Sequence, residues 1–276
     1  MPKNEKNDII TRKIKTKMLY SKEKLDKLKH RWTTPKGKQL IKTIKRSHCY
    51  LSPVLYREKV KSFPGINDEE VQEGVDLRGA PLAGFDFRVK VKDDDNFIEE
   101  LAILSNIHFE GANLKHCDFD NGKIHDCYFE NTEADHASFK GATLNNCHFE
   151  EANVSGISLR GSKLISCNFN NAKIKDITLD TTIVDEKTTF GKSLKSETSE
   201  SQHFASIEYK QIKEMYKNSS LHNIADYYHY KEMVSKRKIR RNYSPNRFFN
   251  YFFGDMLCKY GTSFARVILW SILIIV

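Results

Sequence analysis

The sequence predicts a mainly β solenoid, a four-sided parallel β-helix with α-helical segments before and after it. Three observations predict this class: an apolar residue at every fifth position from Leu104 to Val184, a small residue two positions before most of these, and ladders of similar side chains at 20-residue spacing. A step of five turns about 500° on an α-helix, and on a plain strand it alternates between the two faces. A chain that turns a corner every five residues keeps all of these positions inside.

The predicted core ladder contains seventeen apolar positions in one register. They are Leu104, Phe109, Leu114, Phe119, Ile124, Phe129, Ala134, Phe139, Leu144, Phe149, Val154, Leu159, Leu164, Phe169, Ile174, Leu179 and Val184. The ladder also includes Cys127, Cys147 and Cys167, each two positions before a phenylalanine. Four sides of five residues close a coil of 20, and successive coils stack at the strand spacing of about 4.8 Å. Residues 20 apart should therefore lie above one another.

This register resembles that of the pentapeptide-repeat family, whose repeat is written A-(D/N)-L-X-X. Ala112-Asn113-Leu114 and Ala152-Asn153-Val154 are close copies, and the resemblance covers 102–186. It implies a right-handed quadrilateral β-helix, with an earlier piece beginning at Val75-Asp76-Leu77. The earlier piece is out of phase, so 88–100 is expected to be an insertion or a loop. Members of the family share a scaffold rather than a chemistry, so the resemblance leaves the function open.

Helical patterns flank the repeats. Ser21 is a predicted N-cap for a helix that runs to Trp32, and Thr34-Pro35 marks a second helix start. The predicted organisation is a basic helical arm at 1–62, first repeats plus an insertion at 63–101, the pentapeptide-repeat β-helix at 102–190, a linker at 191–203, a helical hairpin at 204–241, and a basic and aromatic segment at 242–276 that leads into an apolar tail. In the hairpin, the predicted inward residues of the first helix are Ile207, Ile212, Met215 and Tyr216.

The charge is distributed unevenly along the chain. Residues 1–62 carry 19 Lys and Arg against 5 Asp and Glu, whereas 102–186 carry 7 against 13. The basic arm therefore suggests three uses: covering the open end of the solenoid, binding nucleic acid, or binding the anionic leaflet of a membrane. It contains no nucleic-acid-binding signature, which makes nucleic acid the weakest of these. No secretory signal is visible, so the six cysteines are expected to be thiols in a reducing compartment.

No catalytic, cofactor-binding or metal site is predicted, and the protein is not expected to be an enzyme. Cys117, Cys127, Cys147 and Cys167 fall on inward positions, and nearby histidines such as His116, His125 and His148 fall on outward ones. A zinc site needs convergent ligands, so the cysteines are interpreted as core residues. The outward Asp126, Asp135, His136 and Glu150 match no catalytic motif and are interpreted as a scattered, solvated surface.

The C-terminal region predicts contact with a membrane. Ala225 to Met233 (ADYYHYKEM) and Tyr260-Gly261 resemble bacterial pentapeptide-repeat proteins fused to channel-like membrane helices, although no selectivity-filter sequence is present. The uncharged run Val267–Val276 would span about 15 Å as a helix, short of the roughly 20 residues that cross a bilayer. It is read as a membrane helix cut short, or as a tail that packs on protein or enters one leaflet. The membrane-proximal residues are Arg266, Val267, Trp270 and Ile274.

These observations predict a non-enzymatic scaffold on the cytoplasmic side of the inner membrane, or in the cytoplasm if the tail does not insert. It would present its faces to a protein partner whose identity the sequence leaves open, along with the oligomeric state. One alternative is a soluble regulator of a topoisomerase that mimics DNA, as the resemblance implies for some family members. The acids of 102–186 are interspersed with bases and show no continuous stripe, which weakens this alternative. The other alternative is a fragment without its own activity.

Overall fold

A computed structural model describes residues 21–46, 74–92, 98–199, 202–239, 249–257 and 259–262, together with 268 and 270. Within these ranges the α-helices are α1 (Lys22–Arg31), α2 (Pro35–Arg46), α3 (Lys195–Ser199), α4 (Gln202–Asn218) and α5 (His222–Ile239). The strands are β1 (Val75–Asp76), β2 (Arg88–Lys92), β3 (Ile98–Ser105), β4 (Ile107–His108), β5 (Lys123–His125), β6 (Thr143–Asn145), β7 (Lys163–Ile165) and β8 (Ile183–Val184). A π-helix at Asn250–Leu257 and a 3-10 turn at Lys259–Gly261 follow.

The middle of the chain is a β-solenoid, as the sequence predicts. Strands β3, β5, β6, β7 and β8 form one parallel sheet, and Leu104, Ile124, Leu144, Leu164 and Val184 are successive partners in it. All seventeen apolar register positions are buried. The rings of Phe109, Phe129, Phe149 and Phe169 stack with centroid distances of 4.6–5.1 Å, close to the spacing of neighbouring strands.

Each corner of the coil is a residue with a left-handed backbone. From position 106 to position 181, every fifth residue has a φ between 52° and 69°. These corner residues are Asn106, Gly111, His116, Asn121, Asp126, Asn131, His136, Gly141, Asn146, Glu151, Gly156, Gly161, Ser166, Asn171, Asp176 and Thr181. Gly tolerates this conformation without steric cost, and Asn, Asp and His enter it more readily than other residues. Residue types that tolerate a positive φ therefore recur at every fifth position, in addition to the apolar residues of the core.

An antiparallel hairpin interrupts the first coil. Strand β2 pairs with β3 through Arg88 opposite Ala102, and β3 then continues as a wall of the solenoid. Val75 consequently pairs with Ile107, 32 positions later, whereas later partners lie 20 apart. The expected insertion at 88–100 is thus the two strands of a hairpin, of which residues 93–97 lie outside the described part of the chain.

Helices α1 and α2 cover the N-terminal end of the solenoid. The Ser21 side chain accepts a hydrogen bond from the Lys24 amide, so it caps α1 as predicted. Trp32, Leu40 and Ile44 are buried in the same core as the first coil, and the Trp32 indole donates to the Arg78 carbonyl oxygen at 2.7 Å. One of the three uses expected for the basic arm is therefore visible: this part of it closes the open end of the core.

A buried charge cluster fixes that N-terminal cover. The Arg31 guanidinium donates to both oxygens of the Asp76 carboxylate, at 3.0 and 2.6 Å, and Arg78 donates to the same group. Burial raises the pKa of the Asp76 carboxyl, but the hydrogen bonds and charges of Arg31 and Arg78 outweigh this effect. The pKa of Asp76 consequently lies well below its usual value, and the group is ionised under ordinary conditions.

The C-terminal end is closed by α3, α4 and α5. Within the predicted linker at 191–203, Leu194 is buried in the core and α3 occupies Lys195–Ser199. The Ser196 hydroxyl donates to the buried Glu208 carboxylate at 2.6 Å, which ties α3 to α4. The buried Leu194 therefore anchors the polar segment that precedes α4.

Three tyrosine hydroxyls bind the backbone at the end of the solenoid. Tyr216, Tyr227 and Tyr228 donate to the carbonyl oxygens of Thr188, Lys192 and Gly191, at 2.6, 2.7 and 3.3 Å. Burial raises the pKa of both Tyr216 and Tyr228, so these hydroxyls keep the proton that they donate. Carbonyl groups that no further coil can pair are satisfied in this way.

Two details of the C-terminal part differ from the sequence prediction. Ile212, Met215 and Tyr216 are buried as expected, but Ile207 is 44% exposed, and the predicted inward position for it is wrong. The phenylalanine ladder also continues beyond Phe169, since Phe190 stacks on it at 4.7 Å. Asn168 pairs with Thr189, 21 positions later, so one extra residue shifts Phe190 out of the register.

No helix within the described residues is both long enough and apolar enough to cross a bilayer. Among the predicted membrane-proximal residues, Trp270 is helical and half-buried. Arg266, Val267 and Ile274 lie outside the described residues.

Replacing Thr181 by Gly should stabilise the solenoid. Thr181 has a φ of 55°, a conformation that is unfavourable for a β-branched residue. Relief of that strain, less the greater chain entropy of Gly, should raise the free energy of unfolding by about 0.5–1 kcal/mol. Urea unfolding measures the change. The control is Thr178→Gly, at a position outside the corner register, which should lower the free energy of unfolding; equal effects at both sites would contradict the corner assignment.

Asp76→Asn should destabilise the chain far more than Asp86→Asn. Both residues precede an Arg by two positions, but Asp76 is buried and the side chain of Asp86 is 54% exposed. Breaking the buried cluster should cost about 3–5 kcal/mol, against at most about 1 kcal/mol for the exposed pair.

The Asp76 effect should also depend on pH. Because its folded-state pKa is lowered, its contribution is complete above about pH 5 and is lost as the pH falls toward the folded pKa. Chemical unfolding of both variants at several pH values measures this. A difference between wild type and D76N that stays constant down to pH 2 would contradict the argument.

Candidate functional site

One side of the solenoid carries acidic and aromatic side chains and no Lys or Arg. We call it the glutamate wall; it consists of residues 107–111, 127–131, 147–151 and 167–171. Its central phenylalanines point inward, and the residue on either side of each points outward. The outward residues are His108, Tyr128, His148 and Asn168 in one row, and Glu110, Glu130, Glu150 and Asn170 in the other. The fixed coil spacing therefore places glutamate above glutamate.

The aromatic row forms a continuous stack beside the glutamates. The Tyr128 ring lies between those of His108 and His148, with centroid distances of 4.4 and 5.3 Å. Each imidazole approaches the glutamate of its own coil: His108 Nδ1 lies 2.9 Å from Glu110 Oε1, and His148 Nδ1 lies 3.4 Å from Glu150 Oε1. The middle coil has a tyrosine in the equivalent place, so Glu130 lacks an imidazole from its own coil.

Glu130 is the middle member of the glutamate row, where burial and two neighbouring carboxylates both act on it. Only 9% of the residue is exposed, and Glu110 and Glu150 lie one coil to either side of it. Burial raises the pKa of the Glu130 carboxyl well above its ordinary value, and the charges of Glu110 and Glu150 raise it further. Two ionised carboxylates at about the coil spacing repel each other by about 3 kcal/mol at an effective dielectric constant of 20. Burial and these neighbouring charges therefore both oppose ionisation of Glu130.

Glu130, His148 and Glu150 converge. One donor atom from each can be chosen so that all three lie within 4.8 Å of one another. Oε2 of Glu130 and Oε2 of Glu150 are buried and make no hydrogen bond with any group in the described part of the chain. The side chains of His148 and Glu150 are 20% and 23% exposed, so the cluster opens to solvent on one side.

The sequence interpretation of these residues was wrong in two respects. The sequence places Glu150 on a scattered surface, His148 on an outward position away from the cysteines, and the acids in no continuous stripe, yet three glutamates stand in one column. Asp126, Asp135 and His136 lie elsewhere, at corners or on another wall, and do not join the cluster. The signal was present as HFE, YFE and HFE at 108–110, 128–130 and 148–150. Comparing residues 20 apart at outward positions as well as inward ones would have found it.

The core cysteines lie where the sequence places them. Cys117, Cys127, Cys147 and Cys167 are buried thiols, and Cys127 donates to the His125 carbonyl oxygen at 3.2 Å. Burial raises the pKa of the Cys127 thiol to about 12 and that of Cys147 well above its usual value. A thiolate is the form that binds metals and attacks electrophiles, so these thiols are poorly suited to either role.

The C-terminal region exposes a second distinctive surface. We call it the aromatic patch; its residues are Phe249, Tyr251 and Phe253, which are 55%, 51% and 51% exposed. The basic end of α5, Lys236 to Lys238, lies against it, since the Arg237 guanidinium stands 4.9 Å from the Tyr251 ring centroid and pairs with Asp255 at 2.5 Å. A cationic helix end beside exposed aromatic rings is typical of a surface that meets the headgroup region of a membrane.

Comparison with known proteins identifies the repeat. Residues 102–179 match the family model described as a pentapeptide repeat region, and this part of the chain is therefore a pentapeptide repeat region. Such a region is a structural and interaction module. No curated protein sequence gives a significant match to the chain.

Several solved structures of pentapeptide repeat proteins are similar to part of this chain. The pentapeptide repeat protein Rfr23 from the cyanobacterium Cyanothece 51142 is 17% identical with a TM-score of 0.32, over 40% of this chain and 87% of its own. HetL, a pentapeptide repeat protein involved in heterocyst differentiation regulation from Nostoc sp. strain PCC 7120, is 18% identical with a TM-score of 0.34, over 39% of this chain and 46% of its own. A pentapeptide repeat protein of the Arabidopsis thaliana thylakoid lumen is 22% identical with a TM-score of 0.31, over 38% and 63%.

The core thiols should be unreactive until the solenoid unfolds. In a variant with Cys49→Ser and Cys258→Ser, only the four buried cysteines remain. Burial keeps all four out of contact with reagent, and it raises the pKa of the Cys127 and Cys147 thiols, so a chromogenic disulfide should label almost none in the native chain and all four in denaturant. Labelling of the native chain at the rate of a small free thiol would contradict this packing.

Proposed function

We propose that the protein is a non-enzymatic scaffold on the cytoplasmic face of a membrane, where its solenoid walls bind a protein partner. The observation that carries the proposal is the aromatic patch beside the cationic end of α5. The repeat region supplies the interaction module, and the C-terminal region supplies the attachment to the membrane.

The closed ends of the solenoid support a role in binding. Repeat proteins bind through their lateral surfaces when terminal elements cover the two ends of the core. Here Trp32, Leu40 and Ile44 cover one end, and Leu194 and Tyr216 cover the other. The strand wall is one lateral surface that a partner can reach, since its Ile103 and Ile183 are 52% and 56% exposed.

The chemistry of the C-terminal surface supports membrane contact. Burying a large aromatic side chain is worth about 1.5–3 kcal/mol, and basic residues near an anionic leaflet add about 1 kcal/mol each. Phe249, Tyr251 and Phe253 offer the first contribution, and Lys238 offers the second, because Lys236 and Arg237 already pair with Glu232 and Asp255. Neither contribution alone anchors a protein stably, whereas two signals together do.

Mimicry of DNA, the runner-up, fits the geometry less well. A mimic must present its negative charges to a partner as phosphate groups do, but Glu110 and Glu130 are only 2% and 9% exposed. The other walls mix both signs, as in the contact between Lys115 and Asp135 at 3.3 Å.

The full-length chain should sediment with vesicles that contain anionic lipid, and less with purely zwitterionic ones. The variant Phe249→Ser/Tyr251→Ser/Phe253→Ser should reduce vesicle binding at least about tenfold, because it removes the apolar contribution. Ile103→Ser/Ile183→Ser is the matched control, since it removes exposed apolar side chains from a wall and should bind as wild type does.

Cell fractionation extends the test. The full chain should be found with membranes, and the triple variant of the aromatic patch should be released into the soluble fraction. Equal loss of vesicle binding in the triple variant and the wall control would overturn the assignment to the aromatic patch. A full chain that stays soluble and inhibits DNA supercoiling would overturn the proposal in favour of the mimic.

A further inference from the structure

We propose that Glu130, His148 and Glu150 on the glutamate wall form a binding site for one divalent transition-metal ion such as Zn²⁺ or Mn²⁺. The site would join two neighbouring coils through two carboxylates and one imidazole. This role is separate from membrane attachment and from partner binding.

The geometry of the three donors supports the site. Their donor atoms lie within 4.8 Å of one another, and ligand atoms about 2.1 Å from a tetrahedral ion lie about 3.4 Å apart. Bringing the donor atoms to that separation requires only small side-chain rotations. The half-buried side chains of His148 and Glu150 can make these rotations. Glu130 is the most buried of the three residues, at 9% exposure, and its carboxylate defines the inner side of the site.

The unsatisfied oxygens point to a cation rather than to a filled hydrogen-bond network. Glu130 is nine-tenths buried, and its Oε2 makes no hydrogen bond within the described part of the chain. Glu150 Oε2 is also buried and also makes no hydrogen bond within the described part of the chain, whereas Glu150 Oε1 accepts from the Asn168 side-chain amide. Buried acceptors are costly when they have no partner, and a metal ion satisfies both oxygens at once.

The charge of the wall also favours a cation. Glu130 and Glu150 lie one above the other at the coil spacing, and residues 127–131 and 147–151 of the wall contain no Lys or Arg. A divalent ion between two coils offsets the repulsion along the column.

The mixed donor set selects the class of ion. Imidazole suits Zn²⁺ and other transition metals, whereas Mg²⁺ and Ca²⁺ prefer sites made of oxygen alone. Water from the open side of the cluster would complete the coordination. The neighbouring His108 remains with Glu110, at 2.9 Å, and would support the wall from the next coil.

The test uses the untagged full-length chain, stripped with a chelator and titrated with Zn²⁺, Mn²⁺, Mg²⁺ or Ca²⁺. Calorimetry should show one Zn²⁺ or Mn²⁺ per chain. At a cation concentration one hundred times Kd, the unfolding midpoint should rise by about 5 °C. Co²⁺ should give a visible absorption band of ligand-bound cobalt, which reports ligation independently of stability.

Matched variants assign the response to these residues. Glu130→Gln and His148→Asn should each weaken cation binding at least tenfold, whereas Glu133→Gln and His136→Asn, on or beside another wall, should bind as wild type does. In chelator, E130Q should unfold no earlier than wild type, because it removes a buried charge without leaving a cavity. If E130Q fails to fold, H148N decides the assignment.

Two results would overturn the site. One is the absence of any midpoint shift with all four cations, and the other is a shift that survives undiminished in both E130Q and H148N. Tighter binding of Ca²⁺ or Mg²⁺ than of Zn²⁺ and Mn²⁺ would overturn the role of His148. None of these results depends on vesicle binding, so the proposed function stands or falls separately.

Discussion

A corner in the left-handed conformation every five residues is the constraint from which the rest of the solenoid follows. The corner amide donates to the carbonyl oxygen of the next coil, as from Asn121 to Lys140 at 2.7 Å and from Asn131 to Glu150 at 3.0 Å. Once corners recur at this interval, four sides close a coil and every side chain stands above its counterpart 20 residues earlier. The arrangement is favourable for Phe129 on Phe109, whose rings stack. The same arrangement brings carboxylate onto carboxylate at Glu130, so the unusual charge of the glutamate wall is a direct product of the fold.

The two ends of the solenoid are closed by different means. At the N-terminal end the Arg31–Asp76 pair is almost completely buried, and an ion pair of this kind orients two elements more than it stabilises them. At the C-terminal end the contacts come from tyrosine hydroxyls, from the buried Leu194 and from the continuation of the ring stack by Phe190. An open stack of parallel strands exposes unpaired backbone groups, so both covers belong to the stability of the repeats themselves.

The fold class could be predicted because the core register and the helix starts at Ser21 and Pro35 are local patterns, which can be recognised in a single sequence. The sequence prediction failed where one residue changed the phase, as before Phe190. Ile207 was misplaced because helical periodicity does not say which side meets the solenoid. The cluster of Glu130, His148 and Glu150 was missed for another reason: outward residues carry no hydrophobic signal, and their convergence follows from the stacking of coils, which becomes visible only once the register is applied to every position.

The tyrosine contacts at residues 188–192 also determine how the molecule would respond to mechanical load. A pull on the C-terminal region reaches the solenoid through α4 and α5, whose contacts with its last coil include the hydroxyls of Tyr216, Tyr227 and Tyr228 and the Ser219 hydroxyl that accepts from the Val184 amide. A force applied to α5 acts on these contacts before it acts on the coils. A stack of coils unwinds one coil at a time from an end that is no longer covered. Under such a load these hydrogen bonds should therefore break before the coils unwind, and the coils should still be intact when the bonds break.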